Sequence, residues 1–146
     1  MTVFSEFRVQ VGSPVVLGND GFGEARIVPI LGGTVIGPGL SGTILPGGAD
    51  EQRIRADGLT RIHARYVIRA ADGALVRVDS QGLRHAPPEV MAALTRGEKI
   101  DPALVYFRTV IRFETAAEAH DDLNKRVFLA MGQREPDGVV LQLTSL

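Results

Sequence analysis

The segment Gly32–Asp50, GGTVIGPGLSGTILPGGAD, contains seven glycines and two prolines around two short runs rich in β-branched residues. Glycine permits positive φ and close backbone approach, and proline removes a backbone donor, so these residues mark turns between strands. We therefore predict strands at Thr34–Ile36 and Ser41–Leu45, joined by tight turns in an antiparallel sheet. The segment ends on a carboxylate, Asp50.

Alternation of apolar and polar residues continues along the rest of the chain and predicts further strands. These are Val3–Val11, Ala25–Ile30, Thr60–Ala70, Ala74–Ser80, Val105–Glu114, Val127–Gly132 and Val139–Thr144. Helical spacing occurs at Pro87–Gly97 and in the shorter Thr115–Asn124, whose Thr-x-x-Glu pattern is that of a capping box. Short, evenly spaced strands favour a closed antiparallel β-barrel of about eight to ten strands with one or two short helices. We expect a single domain over residues 1–146.

The composition argues against several classes of function. Sixteen Lys and Arg balance seventeen Asp and Glu, and the formal net charge of −1 gives no field that would gather nucleic acid or an anionic membrane. The chain has no cysteine, so disulfides, thiolate ligands and a cysteine nucleophile are excluded, which fits a reducing compartment. The alternating N-terminal residues lack the apolar centre of a signal peptide. We therefore expect a cytoplasmic protein with no nucleic-acid or membrane partner.

Motifs for cofactors and metals are weak. The segment Gly37–Gly42 has the G-x-G-x-x-G spacing of a dinucleotide site, but a predicted strand follows it, whereas pyrophosphate binding needs a helix N-terminus there. The histidines His63, His85 and His120 are scattered, with no second ligand at useful spacing. We expect no cofactor and no metal.

The strand Val105–Glu114 carries charge on one face. A period of two places Tyr106, Arg108 and Glu114 together. This face is either a solvated outer wall, where ion pairs contribute little, or part of a barrel mouth that orients an oxygen-rich ligand and moves a proton. In the second case Arg108 and Glu114 meet Asp50, either carboxylate is the candidate base, and Arg108 fixes a substrate oxygen.

Several short motifs occur in a characteristic order from about Gly23 to the C-terminus. They include Gly32-Gly33-Thr34, Leu45–Asp50, Ala64-Arg65-Tyr66, Asp72–Leu75, Pro87–Val90, Tyr106–Thr109, Arg112–Thr115 and Leu123-Asn124. In these the chain resembles the domain-of-unknown-function family 3237 of small bacterial and fungal β-barrel proteins. The resemblance implies a closed barrel with a central cavity, often assembled into homo-oligomers, whose ligand is unknown for most members. The polar residues that it implies at the cavity are Asp50, Arg65, Tyr66, Arg108, Glu114 and Asn124.

The chain departs from this family pattern at two places. Glu51 stands where similar proteins commonly have tryptophan, and Asp121-Asp122 stands where an aromatic pair precedes Leu-Asn, which suggests a more polar ligand. Arg65 and Tyr66 are neighbours, so only one can face the cavity unless a bulge intervenes. We favour Tyr66 as the wall residue, with Arg65 at the rim or in an oligomer contact.

Three hypotheses of function remain open. The first is a cofactor-free enzyme that uses acid/base chemistry, of the isomerase, lyase, cyclase or hydratase type, on an oxygenated or carbonyl-containing metabolite. The second is a non-catalytic carrier of a small acidic metabolite, and the third is a structural, oligomeric scaffold. The candidate catalytic residues are Asp50, Glu114 and Arg108, and the candidate substrate-binding residues are Tyr66, Arg65, Tyr106 and Asn124.

Overall fold

The computed structural model describes residues 2–146 and consists mostly of strands. The strands are β1 (Val3–Val11), β2 (Val15–Asn19), β3 (Glu24–Ile36), β4 (Gly42–Ile44), β5 (Gly48–Ile54), β6 (Thr60–Ala70), β7 (Leu75–His85), β8 (Tyr106–Glu114), β9 (Val127–Glu135) and β10 (Gly138–Ser145). Between β7 and β8 lie helix α1 (Pro88–Thr95) and the 3₁₀ helix Pro102–Leu104, and a second 3₁₀ helix, Glu118–Lys125, precedes β9. Within residues 2–146, no helix combines the length and the apolar character needed to cross a membrane.

The strands close into an antiparallel barrel with eight positions, which confirms the predicted fold class. The order is β1, β10, β9, β8, β7, β6, then β4 and β5 together, then β3, which pairs back onto β1. The strands β4 and β5 share one position because each pairs with both β3 and β6, at different heights. Strand β2 is an additional strand that pairs with the start of β3.

The segment Gly32–Gly33 does not form the predicted turn but lies inside β3, which is one continuous strand. Against β1 the register slips there, since Gln10 pairs with Gly32 while Val11 pairs with Ile30. The slip is a β-bulge, which bends the strand and increases its twist. Gly33 has a φ of +147° at this bend. Gly32 and Gly33 therefore bend the barrel wall and do not end the strand.

The second short helix starts later than predicted and without a capping box. It begins at Glu118, after Ala117, with no side-chain hydrogen bond at its N-terminus. The hydroxyl of Thr115 instead donates to the carbonyl of Leu75 at 2.8 Å and accepts from the N–H of Ala117 at 3.1 Å. The prediction of a capping box is therefore wrong, because the threonine ties the segment to β7 instead.

Aromatic side chains fill one half of the barrel. Phe7, Phe113 and Phe128 are buried, and the ring centroids of Phe113 and Phe128 are 5.2 Å apart. Leu123, from the 3₁₀ helix, joins the same core cluster. We call this half the aromatic end; the opposite end, where β7 and β9 finish and β3 begins, is more open.

Candidate functional site

The charged face of β8 is the outer wall of the barrel. Glu114 is 69% exposed in its side chain and lies 4.0 Å from the guanidinium of Arg77, and Tyr106 is also exposed. The guanidinium of Arg108 lies 5.1 Å from the centroid of the Tyr106 ring, on the outside. The expectation that Arg108 and Glu114 turn inward to meet Asp50 is therefore wrong. The alternate residues of β8 are the more apolar set, and it is their burial that decides the orientation of the strand.

Among the four candidate substrate-binding residues, Tyr66 alone faces the interior. Its side chain is buried with 4% exposure. Arg65 points outward, as expected for the residue next to an inward-facing Tyr66. Its Nε lies 3.3 Å from an oxygen of Asp79. Asn124 lies away from the interior, where it accepts a hydrogen bond from the N–H of Thr115 and donates one to its carbonyl. It holds the 3₁₀ helix in place.

Asp50 lies inside the open end of the barrel. Its Oδ2 accepts a hydrogen bond from Nε2 of Gln52 at 2.7 Å, and its Oδ1 accepts one from the backbone N–H of His63 at 3.2 Å. Burial raises the pKa of this carboxyl above its ordinary value, although the bond from Gln52 and the charge of Arg84 act in the opposite direction. Asp50 and Tyr66 are the predicted site residues that the structure brings together.

Four further polar residues at the open end escaped the sequence analysis. Arg26, Gln52, Arg84 and Arg134 line one cavity together with Asp50. The Nη2 of Arg26 donates to Oε1 of Gln52 at 2.6 Å, which orients the amide that Asp50 accepts from. We call this cavity the mouth; its volume is about 450 Å³.

Alternation contained the signal that would have found these arginines. Arg84 has the same parity as the buried Val76 and Val78 of β7, and Arg134 the same parity as the buried Phe128 of β9. The predicted strands ended at Ser80 and Gly132, short of both arginines. Extending each strand to its observed end would have placed both arginines on the inward face.

Arg84 is a buried cation. Arg84 is 4% exposed, and its Nε has no hydrogen-bond partner among residues 2–146. Burial, together with the charge of Arg134, lowers the pKa of its guanidinium to about 10. The group lies 5.7 Å from the centroid of the Phe107 ring, a contact that offsets part of the cost of burying the charge.

A smaller chamber lies below the mouth, toward the aromatic end. Its volume is about 40 Å³, and it shares Asp50 and Phe107 with the mouth. Tyr66 and Thr109 line this inner chamber, and within residues 2–146 neither of their buried hydroxyls has a hydrogen-bond partner. Buried polar groups are normally satisfied, so these two hydroxyls are exceptions that set the inner chamber apart from the rest of the core.

The mouth and the inner chamber together therefore combine groups for acid/base chemistry and for holding oxygen atoms. A carboxylate of raised pKa lies beside guanidinium groups, and the phenol of Tyr66 stays protonated because burial and the charge of Asp50 raise its pKa. In the described part of the chain, residues 2–146, no cluster of three or more histidine and acidic side chains is placed to hold a metal ion.

Comparison with known proteins places the chain in a family. All 146 residues match the family described as proteins of unknown function (DUF3237). A UPF0311 protein of Bradyrhizobium diazoefficiens is 44% identical over 134 residues, which cover 92% of this chain and 88% of that protein. The crystal structure of a conserved protein of unknown function from Rhodopseudomonas palustris has a TM-score of 0.92 at 38% identity, covering 99% of this chain and 94% of that one. An enzyme from Penicillium herquei shares the fold, with a TM-score of 0.71 at 18% identity and coverage of 98% and 92%. The chain belongs to the DUF3237 family of proteins of unknown function.

Proposed function

We propose that the mouth binds a small oxygenated or carbonyl-containing metabolite and that Asp50 serves there as a general acid and base, without a cofactor. One observation carries the proposal. Asp50 lies where the mouth meets the inner chamber, and both its oxygens accept bonds from neutral N–H donors instead of a paired cation. A structural aspartate in a barrel interior is normally neutralised by an ion pair, so this arrangement supports a chemical role.

The raised pKa of Asp50 suits proton transfer. A carboxylate that binds its proton more tightly is a stronger base, and its protonated form is populated closer to neutral pH. In the proposed reaction, Asp50 takes a proton from a carbon or hydroxyl of the substrate while negative charge develops on a carbonyl oxygen. It then returns the proton to a different carbon or oxygen of the substrate, which gives an isomerisation or cyclisation, or to a departing hydroxyl, which gives an elimination with loss of water. Hydration is the reverse of that elimination, with water as the source of the proton.

The neighbouring groups would stabilise the charge that develops. The guanidinium of Arg84 lies in the same mouth and is itself buried, and a buried fixed charge acts more strongly than one in water. Tyr66 keeps its proton and is available as a donor to a substrate oxygen in the inner chamber. Gln52, fixed by Arg26, would keep the carboxylate in one orientation.

The outward orientation of Arg108 and Glu114 leaves Asp50 as the candidate base. Glu114 is on the outer wall and 69% exposed in its side chain, so a substrate in the mouth would not reach it. In the proposed reaction, Arg84 takes the role first considered for Arg108, and Asp50 is the base.

A ligand panel followed by product analysis tests the proposal. Aromatic acids, lactones and keto acids are screened by thermal shift, and each compound that binds is incubated with the protein and analysed for conversion. Asp50→Asn is expected to keep binding but to lose turnover by about 10²–10⁴-fold, since it retains the shape of the side chain without its basicity. Asp79→Asn, on the outer wall, is the matched control and keeps full turnover.

The outcomes separate an enzyme from a carrier. Conversion that depends on Asp50, with a rate that rises with pH through a pKa above the ordinary 3.8, supports the enzyme. Tight binding of a compound that is recovered unchanged from every incubation would instead identify a carrier. Equal turnover by the wild type and Asp50→Asn would refute the role of Asp50.

A further inference from the structure

We infer that the ligand is an anion: a small hydroxy- or keto-carboxylic acid whose carboxylate is held by Arg26, Arg84 and Arg134 and whose second oxygen reaches Tyr66 and Thr109. The inference rests on the proposed function, because it names the substrate class of the same mouth. Two independent groups of observations carry it, one at each end of the site.

The first is a group of three positive charges without a direct ion pair among residues 2–146. Three guanidinium groups line the mouth. Within residues 2–146, none of the three takes part in an ion pair within 4.0 Å, and neither does Asp50. Asp137 and Glu135 also line the mouth, but the first is exposed at the β9–β10 turn and the second accepts from the amide of Gln133 at 3.3 Å.

These arginines also disfavour one another's charge. Burial lowers the pKa of the Arg84 guanidinium, and the positive charges of Arg134 and Arg26 act in the same direction, while the negative charge of Asp50 opposes them without a direct ion pair. A buried cation without a partner is rare, because the cost of removing it from water is normally offset by an opposite charge. Planar guanidinium groups match the two oxygens of a carboxylate, so a carboxylate ligand is the partner that this cluster fits.

The second group of observations lies in the inner chamber. The hydroxyls of Tyr66 and Thr109 are buried and, among residues 2–146, without partners, while much of the remaining lining is apolar, from residues such as Val9, Ile30 and Leu141. A volume of about 40 Å³ admits one or two atoms of a ligand but not a ring. The mouth, at about 450 Å³, is large enough for the body of a small molecule.

Together the two ends define the ligand. Its charged group belongs among the guanidinium groups of the mouth, its carbon skeleton beside Phe107, and a hydroxyl or carbonyl oxygen below, in reach of Tyr66 and Thr109. Asp50, at the junction, would then lie beside the bonds between the two oxygen-bearing groups. In a 3-keto acid the carbon between the two groups carries the most acidic C–H bonds, and in a 2-hydroxy acid the carbon that bears both groups does.

Matched pairs of compounds test the inference without identifying the natural ligand. The dissociation constants of 3-hydroxybenzoate and several aliphatic hydroxy and keto acids are measured by calorimetry and compared with those of their primary amides. The wild type is expected to bind the acids more tightly by about tenfold or more, the range for one charge-assisted hydrogen bond. Arg84→Met is expected to lose this preference, whereas Arg65→Met, on the outer wall, keeps it.

A second variant tests the inner chamber, and its control is chemical. The double variant Tyr66→Phe, Thr109→Val is expected to bind 3-hydroxybenzoate no better than benzoate, whereas the wild type prefers the hydroxylated acid. Amides that bind the wild type as tightly as the acids do would overturn the inference. So would an unchanged preference for acids in both Arg84→Met and Arg134→Gln, or a failure of every acid to bind at millimolar concentration.

The result also separates this inference from the proposed function. A preference for acids with no conversion of any compound would support the anion site and refute the acid/base enzyme. Turnover of neutral compounds that depends on Asp50, with no preference for acids, would refute the anion site alone.

Discussion

Replacement of Arg84 by methionine is expected to stabilise the protein in the absence of ligand. Methionine keeps an unbranched stem of similar length, so it continues to fill the space beside Phe107 while removing the charge. The native guanidinium is 4% exposed and has an unpartnered Nε within residues 2–146. The substitution therefore removes a buried cation at little cost in packing.

The magnitude follows from the pKa of the guanidinium. Its fall from 12.5 to about 10 corresponds to about 3 kcal/mol against the charged form in the folded protein, at about 1.4 kcal/mol for each pH unit. Because the folded value lies below the unfolded one, this cost is present in full at neutral pH and declines only as the pH rises above about 10. Loss of the contact with the Phe107 ring subtracts about 1 kcal/mol. A net gain of about 2 kcal/mol remains, in the range for replacing buried charges by apolar side chains.

Urea unfolding at pH 7 measures the change directly. The expected gain in the free energy of unfolding is about 2 kcal/mol, with a melting temperature higher by about 4–8 °C for a domain of this size. Arg65→Met is the control, because an exposed surface substitution changes stability by about 0.5 kcal/mol or less. If Arg84→Met instead lost more than about 1 kcal/mol, the guanidinium would be well partnered in the free protein, and the reasoning about an unpaired buried cation would be refuted.

Three other substitutions test the fold and the site. Gly33→Ala is expected to lower the free energy of unfolding in urea by about 2 kcal/mol or more, because the φ of +147° disfavours a side chain and the new Cβ would lie 2.0 Å from the carbonyl oxygen of Arg8. A change within experimental error would contradict this backbone geometry. Asp72→Asn is expected to lower stability at pH 7, because the N–H of Ala74 lowers the pKa of Asp72 in the folded state. The melting temperatures of the variant and the wild type should converge as the pH falls below 3.8, and a difference that stays constant with pH would contradict this origin. Tyr66→Phe is expected to change the free energy of unfolding by about 1 kcal/mol or less, since its hydroxyl has no partner among residues 2–146, and a loss above about 2 kcal/mol would show a bond within the protein.

The sequence predicted the barrel because its strands alternate and its turns carry glycine. Alternation correctly grouped Tyr106, Arg108 and Glu114 on one face of β8, but it did not decide which face was inside. The burial of the more apolar alternate set decides it, and the paired strands agree: Val78 of β7 and Phe128 of β9 also face inward, opposite residues of that set.

The candidate site was predicted in part, for related reasons. Asp50 and Tyr66 were identified and do meet, but the arginines of the mouth were missed because β7 and β9 run beyond their predicted ends. Strand β5 was also missed, since Gly47 and Gly48, at which it begins, were interpreted only as marking a turn. Propensity locates strand centres well and strand ends poorly, and the mouth is built from strand ends.

The aromatic end has a consequence for how this barrel diversifies. Its packed rings and the 3₁₀ helix that contributes Leu123 lie apart from the mouth, whose lining includes none of Phe7, Phe113, Phe128 and Leu123. Substitutions of polar side chains around the mouth therefore leave the packing of the aromatic end unchanged, and each combination of substitutions changes the chemistry of the mouth within the same fold. In such a fold, single substitutions can change which ligand binds without changing the core that stabilises the barrel.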